Sequence, residues 1–267
     1  MTDRPEIDPR YYVETAARTL ALLHAVAASD EPATLGMLVS RLSWSKPAVY
    51  RLVRTLETVG ALRQQDGKGY VLGPSLITLG QAALRATRLH DIVRPYLEDL
   101  AERVGETVVL AVLDRNEIVY VDRIESDQIL IPRTKLGSRL PAYCTSTGQA
   151  LLAGLPDDEV RRRFRGLEFE KIATHTAESV DELLERLAAT RRRGYALNDE
   201  ELAVGHRAVA APVRDHRGDA VAAISISVPS ARVSLEQLER FATEALLPVV
   251  EAATVALGGS RRLPAAV

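Results

Sequence analysis

The sequence predicts an α+β protein in which a small helical domain with a β-hairpin precedes an antiparallel sheet with flanking helices. Three observations support this fold class. Apolar residues keep helical spacing in three segments between residues 13 and 59, β-rich runs then come in pairs around short turns, and helical segments lie between those pairs. Antiparallel hairpins with helices packed on one face are typical of an α+β domain rather than a doubly wound sheet.

Length and composition narrow the class of protein. A chain of 267 residues is long for one domain and sufficient for two, and 46% hydrophobic with 26% charged residues is ordinary for a soluble globular protein. The sequence has no run of 18 apolar residues, and its acidic N-terminus is unlike a signal peptide, which predicts a cytoplasmic protein without membrane contact. A single cysteine, Cys144, excludes an internal disulfide and a cysteine-clustered zinc site. We expect no metal and no cofactor.

Three helices open the chain. The first is predicted over residues 13–28, and Thr34 caps the second. The second and third carry apolar stripes at helical spacing: Leu35, Leu38, Val39 and Leu42, then Val49, Leu52, Val53, Leu56 and Val59. Residues 43–45 separate them. The hydroxyl of Ser45 is expected to accept a hydrogen bond from the free N–H groups of the third helix, which Gly60 ends. This arrangement predicts a helix-turn-helix.

A β-hairpin, or wing, completes this unit. Residues 62–65 and 70–72 flank a turn at 66–69 whose Asp-Gly and Gly residues supply positive φ angles. Between Arg41 and Tyr70 six cations oppose two anions, a local balance of +4, whereas the whole chain carries −2. Such a basic patch indicates contact with phosphates. Residues 1–74 are therefore predicted to form a winged helix-turn-helix domain that binds double-stranded DNA.

The third helix is the predicted recognition helix, whose first residues face base edges in the major groove. Candidates for those contacts are Ser45, Lys46, Ala48, Val49, Tyr50 and Arg51. Arg51 and Lys46 carry donors for guanine. Ala48 and Val49 carry methyl groups that suit a thymine methyl. Candidates for phosphate contact are Arg54, Arg63 and Lys68. The alternative for each arginine is a solvated or helix-pairing side chain.

The remaining chain is predicted to form a linker and one further domain. Residues 75–90 are expected to be a linker helix that also makes a dimer contact, and an amphipathic helix at 92–104 holds Pro95 in its first turn. Within the domain of residues 91–259 we expect strands at 107–113, 117–124, 129–132, 208–213 and 220–228. Its other helices are expected at 147–153, 157–164, 180–193 and 235–257. Residues 260–267 form a tail.

Several segments, in order along the chain, resemble the IclR family of bacterial transcriptional regulators. They are GYVLG at 69–73, GETVVLAV at 105–112, LGSRLPAYCTSTG at 136–148, and AAPV at 210–213 with AISIS at 223–227. The resemblance covers nearly the whole chain. It implies a GAF-like effector-binding domain after the linker, and a homodimer or dimer of dimers on a palindromic operator. Within the family, the LPAYCTS segment is most similar to regulators of aromatic-acid catabolism.

The resemblance also implies a site for a small carboxylate effector. In family members that bind such acids, backbone N–H groups at a helix start hold the carboxylate, and here those positions match Ser146 and Thr147, next to Cys144. A helix N-terminus suits an anion because its N–H groups are unpaired. Ser225 and Ser227 match the paired serines of the last strand, and their alternation places both hydroxyls on one face.

Three positions depart from the family pattern. Asn198 stands in place of an acidic residue, Ala208 in place of a cysteine, and His206 in place of an apolar residue. A pocket with less negative charge, more room and an imidazole group fits an aromatic acid.

Structural roles are the alternative for these residues. Ser225 and Ser227 are then small strand residues, Asn198 forms a turn, and His206 is a core histidine bonded to a carbonyl. The acidic run at 199–201 is then a solvated edge.

Two other functions compete with a regulator. One is a small-molecule hydrolase with Cys144 or Ser146 as nucleophile, but the sequence has no Gly-x-Ser-x-Gly elbow, and we expect no enzymatic activity. The other is a DNA-binding protein with a vestigial effector domain.

Overall fold

The structure, a computed structural model, describes residues 12–65, 67–87, 89–126 and 135–260. The chain divides between Thr87 and Arg88 into two compact units, the N-terminal unit and the C-terminal unit. Within the described ranges, no helix combines the length and the apolar character needed to cross a membrane.

The N-terminal unit is the predicted helix-turn-helix with a wing. Its elements are α1 (Glu14–Ala27), α2 (Leu35–Leu42), α3 (Lys46–Thr58), β1 (Leu62–Gln65), β2 (Gly69–Leu72) and α4 (Pro74–Thr87). The two strands form an antiparallel hairpin. Leu22, Leu38, Val53 and Leu62 are fully or almost fully buried at the centre of this unit, so most of the predicted apolar stripes pack in its core. Val59 was placed in the second stripe wrongly, because it follows the last residue of α3 and is 62% exposed.

The caps of the two central helices differ from each other. Thr34 caps α2 as predicted, because its side chain accepts a hydrogen bond from the N–H of Met37 at 3.2 Å. Ser45 precedes α3, but its side chain makes no capping bond, so that prediction is wrong. The reason is local: Pro47 has no N–H group, and the N–H of Ala48 bonds the backbone carbonyl of Ser45 at 3.0 Å.

The C-terminal unit is built on one antiparallel sheet with strand order β5-β4-β3-β8-β7-β6. The strands are β3 (Thr107–Asp114), β4 (Glu117–Ile124), β5 (Arg139–Pro141), β6 (Ala196–Asp199), β7 (His206–Arg214) and β8 (Ala220–Pro229). The helices are α5 (Leu89–Val104), α6 (Ser146–Leu152), α7 (Asp157–Arg163), α8 (Val180–Arg193), α9 (Leu235–Arg240) and α10 (Leu247–Ala256). Strands β5 and β6 were not predicted, and the predicted strand at 129–132 lies outside the described residues.

Helices cover both faces of this sheet, which corrects the expectation of one covered face. One face carries Leu110, Ile224 and Ile226 and packs against α5 and α10. The other carries Ala111, Ala210 and Ala223 and packs against α6 and α8. The central strands are apolar at successive residues, so both of their faces are buried.

Two of the predicted helices differ in the structure, and each difference involves a proline. Helix α5 begins at Leu89 rather than at residue 92, so Pro95 lies in its interior and not in its first turn. The predicted terminal helix is interrupted, because α9 and α10 are joined by a π-helical segment, Phe241–Leu246. Pro248 at the start of α10 lacks the N–H donor of a regular α-helix, and the wider segment accommodates this loss.

Candidate functional site

Helix α3 and the wing expose the predicted DNA-contacting cations. Lys46, Arg51, Arg63 and Lys68 are all exposed, and Tyr50 is 51% exposed. None of these four cations forms an ion pair with a residue that the structure describes. Their charges are therefore available to phosphates or bases.

Two arginines near α3 are already engaged. Arg54 pairs with Glu57 at 2.7 Å on the exposed surface of the helix, an arrangement in which the pair itself contributes little stability. Arg41 donates to the carbonyl of Ala25 at 2.9 Å and to Ser29 Oγ at 3.2 Å, so it links α2 to α1. Arg41 therefore adds to the local charge but serves a structural role.

Val49 cannot contact DNA from its position in this fold. Its side chain is fully buried and packs in the cluster that contains Leu38 and Val53. The prediction that Val49 touches a thymine methyl is therefore wrong, because it holds α3 against the core. Ala48 is half-buried, and Ser45 is exposed at the helix start.

In the C-terminal unit, the sheet register brings the predicted effector residues together. Ser227 on β8 lies directly opposite Thr107 on β3 and opposite Ala208 on β7. Ala208 in turn lies directly opposite Asn198 on β6. Ser225 lies two residues from Ser227 on β8, on the same face. These buried polar side chains form a row across the sheet that we call the polar row: Thr107, Asn198, Ser225 and Ser227.

His206 extends the polar row. It is two residues before Ala208 on β7, so both side chains are on one face. The imidazole is 8% exposed, and its Nδ1 atom has no hydrogen-bond partner in the described structure. Burial lowers the pKa of His206 to about 4, so the ring is neutral at neutral pH. The alternative of a histidine satisfied by a carbonyl is not supported at Nδ1.

Helix α6 lies over the same face of the sheet and contacts β6, β7 and β8. All of its residues are buried, including Ser146 and Thr147 at its start. Thr145 caps the helix by accepting a hydrogen bond from the N–H of Gly148 at 3.2 Å. A Cβ atom on Gly148 would lie 2.2 Å from the carbonyl oxygen of Ala142, so only glycine permits this close approach.

The side chain of Asn198 hydrogen-bonds to two backbone groups, one of which belongs to Cys144. Asn198 Nδ2 donates to the carbonyl of Cys144 at 2.8 Å, and Asn198 Oδ1 accepts from the N–H of Glu201 at 3.3 Å. The thiol of Cys144 is fully buried and donates to the carbonyl of Pro141 at 3.6 Å. Burial raises the pKa of Cys144 to about 12, which suppresses the thiolate that a nucleophile requires.

A buried cluster beside α6 was missed from the sequence. Glu201 is 5% exposed, so the alternative that the run 199–201 is a solvated edge is wrong at this residue. Its Oε2 atom accepts from Gln149 Nε2 at 2.6 Å and pairs with Arg186. Burial raises the pKa of Glu201 to about 7 despite these two partners. Glu201 follows a strand end in an irregular loop, where hydrophobic periodicity carries no signal.

Comparison with known proteins agrees with this architecture. Residues 15–66 match the family model "IclR helix-turn-helix domain", and residues 81–253 match "Bacterial transcriptional regulator IclR C-terminal". The transcriptional repressor IclR of Escherichia coli (strain K12) is 32% identical over 252 residues, which are 93% of this chain and 92% of that protein.

Two further proteins show the same similarity. The Pca regulon regulatory protein of Pseudomonas putida is 31% identical over 244 residues, 91% of this chain and 82% of that protein. The crystal structure of the IclR protein of Thermotoga maritima is 28% identical with a TM-score of 0.71, and the match covers 92% of this chain and all, 100%, of that one. The relatives found by sequence comparison are named as regulators or repressors of transcription and not as enzymes. This chain therefore belongs to the IclR family of bacterial helix-turn-helix transcriptional regulators.

Proposed function

We propose that the protein binds a palindromic operator in the cytoplasm as a homodimer or a dimer of dimers. We further propose that a small carboxylate effector, specifically an aromatic acid, changes its affinity for that operator. The observation that carries the effector proposal is the polar row beneath α6. It gathers neutral hydrogen-bond donors on one buried face of the sheet. Asn198 and Thr107 already bond to backbone groups, but the hydroxyls of Ser225 and Ser227 have no partner among the described residues. Buried hydroxyls without a partner are suited to a polar ligand rather than to simple packing.

The chemistry of this face supports a carboxylate. The hydroxyls of Ser225 and Ser227 form no hydrogen bond with a described residue, and neither do the backbone N–H groups of Ser146 and Thr147. Neutral donors of this kind bind a carboxylate by hydrogen bonding. His206 adds a neutral ring that carries a donor or an acceptor.

The size of the side chains supports a flat ligand. Ala208 and Ala210 follow His206 on the same face, and each side chain is a single methyl group. An aromatic ring needs such a shallow apolar floor between its polar ends.

Exposed apolar side chains support self-association. Ile77 and Leu79 on α4 are 63% and 64% exposed, and Val13 and Leu20 near α1 are similarly exposed. Burying such residues against a second copy is favourable, and a two-fold dimer matches a palindromic operator.

The proposed regulation is a two-state equilibrium. An effector changes operator affinity only by the difference in its own affinity for the two states, and this coupling is reciprocal.

The test is an operator gel shift with purified protein, with and without acetate, pyruvate, benzoate, 4-hydroxybenzoate and protocatechuate. We expect at least one aromatic acid to change the operator affinity and to raise the unfolding temperature of the protein. If no acid changes either quantity while DNA binding persists, the effector proposal fails and the alternative of a vestigial effector domain is favoured.

A further inference from the structure

We propose that Glu201 and Gln149 are positioning residues for the effector site: they fix the turn before α6 and thereby aim the first N–H groups of that helix at the ligand. The inference rests on the proposed function, because it requires that an effector binds at the start of α6. Glu201 and Gln149 are assigned a role through their contacts with α6 and with the turn before it, not through contact with the effector.

The carboxamide of Gln149 bridges two partners. Its Nε2 atom donates to the backbone carbonyl of Tyr143 at 3.0 Å and to Glu201 Oε2 at 2.6 Å. Tyr143 belongs to the 3₁₀ turn Ala142–Cys144, which immediately precedes the cap of α6. One side chain in the first turn of the helix is thus tied both to the segment that leads into the helix and to a buried carboxylate.

Glu201 is itself fixed at three points. Its N–H donates to Asn198 Oδ1, its carbonyl accepts from Thr176 Oγ1 at 2.6 Å, and its carboxylate pairs with Arg186 on α8. Arg186 also donates to the carbonyl of His175 at 2.7 Å. The cluster therefore joins α6 to β6, to α8 and to the loop at 173–176.

Helix α6 needs such external support. It has seven residues, which is far below the length at which an isolated helix is stable in water. Its direction is consequently imposed by what it is bound to. Two of the carbonyls in the preceding turn are held by side chains, that of Tyr143 by Gln149 and that of Cys144 by Asn198. A small rotation of this turn redirects the N–H groups of Ser146 and Thr147.

The electrostatics of the cluster give positioning a measurable signature. The groups facing the Glu201 carboxylate are Arg186 from α8, Gln149 from α6, the Cys144 thiol from the turn and His175 from the loop. Burial outweighs the cations and raises the pKa of Glu201 to about 7. An effector carboxylate beside Ser146 is a second negative charge near this group, so it binds better when Glu201 is protonated.

The first arm of the test needs no effector. Hydrogen–deuterium exchange of residues 142–149 is compared in the wild-type protein, Glu201→Gln, Gln149→Met and the control Asp122→Asn. Asp122 is an equally buried carboxylate that pairs with Arg94 at 2.6 Å on α5, at the opposite face of the sheet. We expect roughly tenfold faster exchange at 142–149 in the first two variants and no change there in the control. Unchanged exchange in both variants overturns the proposal.

The second arm measures the Kd of benzoate and of 4-hydroxybenzoate by calorimetry from about pH 6 to about pH 8.5, where both acids stay ionised. In the wild-type protein we expect roughly threefold to tenfold weaker binding as the pH rises through the pKa of Glu201. Glu201→Gln, which is neutral at every pH in this range as protonated Glu201 is, is expected to give a flat profile, while Asp122→Asn keeps the wild-type profile. A wild-type profile in Glu201→Gln overturns the proposal. If the wild-type protein binds neither acid, the proposed function fails, and the exchange arm alone decides whether the cluster positions the turn.

Discussion

Asn198 donates a hydrogen bond from Nδ2 to the backbone carbonyl of Cys144 across 2.8 Å, and this bond joins residues that are 54 positions apart. Its Oδ1 atom is occupied as well, by the N–H of Glu201. The family resemblance matched Asn198 to an acidic effector contact. In this chain both ends of the amide already hold backbone groups, so the residue shapes the site by connecting β6 to the turn before α6.

Removing this link should lower the stability of the C-terminal unit. We expect Asn198→Ala to reduce its free energy of unfolding by about 1–3 kcal/mol, because the buried carbonyl of Cys144 loses its partner. Urea unfolding followed by circular dichroism measures this change, while the fluorescence of Trp44 reports the N-terminal unit separately. Asn116→Ala is the control, since that side chain forms no hydrogen bond with a described residue. Equal midpoints for the two variants would contradict the prediction.

Arg51 should contribute to operator affinity without contributing to the fold. We expect Arg51→Ala to weaken specific operator binding by about 1–3 kcal/mol, because an exposed guanidinium in the major groove donates to guanine. Titration of the operator at several salt concentrations measures the loss. Arg41→Ala is the informative comparison, since it removes a bond to the carbonyl of Ala25 and should reduce stability instead. An unchanged footprint and affinity for Arg51→Ala would remove this residue from the DNA contacts.

The buried imidazole of His206 should make the protein less stable in acid. Its pKa is lowered in the fold from 6.5 to about 4, so its contribution to stability is complete above pH 6.5 and is lost as the pH falls toward 4. This loss is on the order of 3 kcal/mol. Unfolding across this pH range should show a shallower decline for His206→Leu. His216→Leu, on an exposed turn, serves as the control.

Glu201 acts in the opposite direction over part of the same pH range. Its pKa is raised from 4.5 to about 7, so its contribution is present below pH 4.5 and is lost as the pH rises toward 7. The pH dependence of the free energy of unfolding is therefore best compared with and without His206→Leu in the Glu201→Gln background. An identical pH dependence in these two proteins would refute the prediction for His206.

Cys144 should be almost inert toward alkylation in the native protein. Its thiol is fully buried and its pKa is raised to about 12, so we expect iodoacetamide at mildly alkaline pH to react at least about a hundredfold more slowly than in urea. Mass spectrometry of quenched samples measures both rates. Rapid stoichiometric labelling of the folded protein would show that the thiol is accessible, and would reopen the question of a nucleophilic role.

The sequence predicted the N-terminal unit closely because its rules are local. Thr34 and Gly60 mark helix ends through their own backbone neighbours, and the apolar stripes correctly indicate the buried face of each helix, with Val59 as the exception. The same rule failed at Ser45, where Pro47 removes the N–H group that a capping hydroxyl needs. Val49 was assigned to DNA by its position in α3, although its place in the apolar stripe already indicated the core.

The C-terminal site was harder to predict because its contacts are distant in the chain. Alternation along β8 correctly placed Ser225 and Ser227 on one face. No local pattern reveals that Glu201 is buried, because its partners Gln149 and Arg186 come from two other segments of the chain. The covering of both sheet faces also depends on how helices return to the sheet, which hydrophobic periodicity does not specify.

The complete burial of α6 has an evolutionary consequence. Every side chain from Ser146 to Leu152 already has a neighbour, and Gly148 has no space for a larger residue, so most substitutions in this helix would damage the fold before they altered ligand choice. Substitutions at Ala208 and Ser227 on the strands that face this helix should alter ligand choice with a smaller loss of stability, because these side chains are small. Under the proposed function, divergence among duplicated copies toward other effectors should accumulate on those strands, while the helix stays constant.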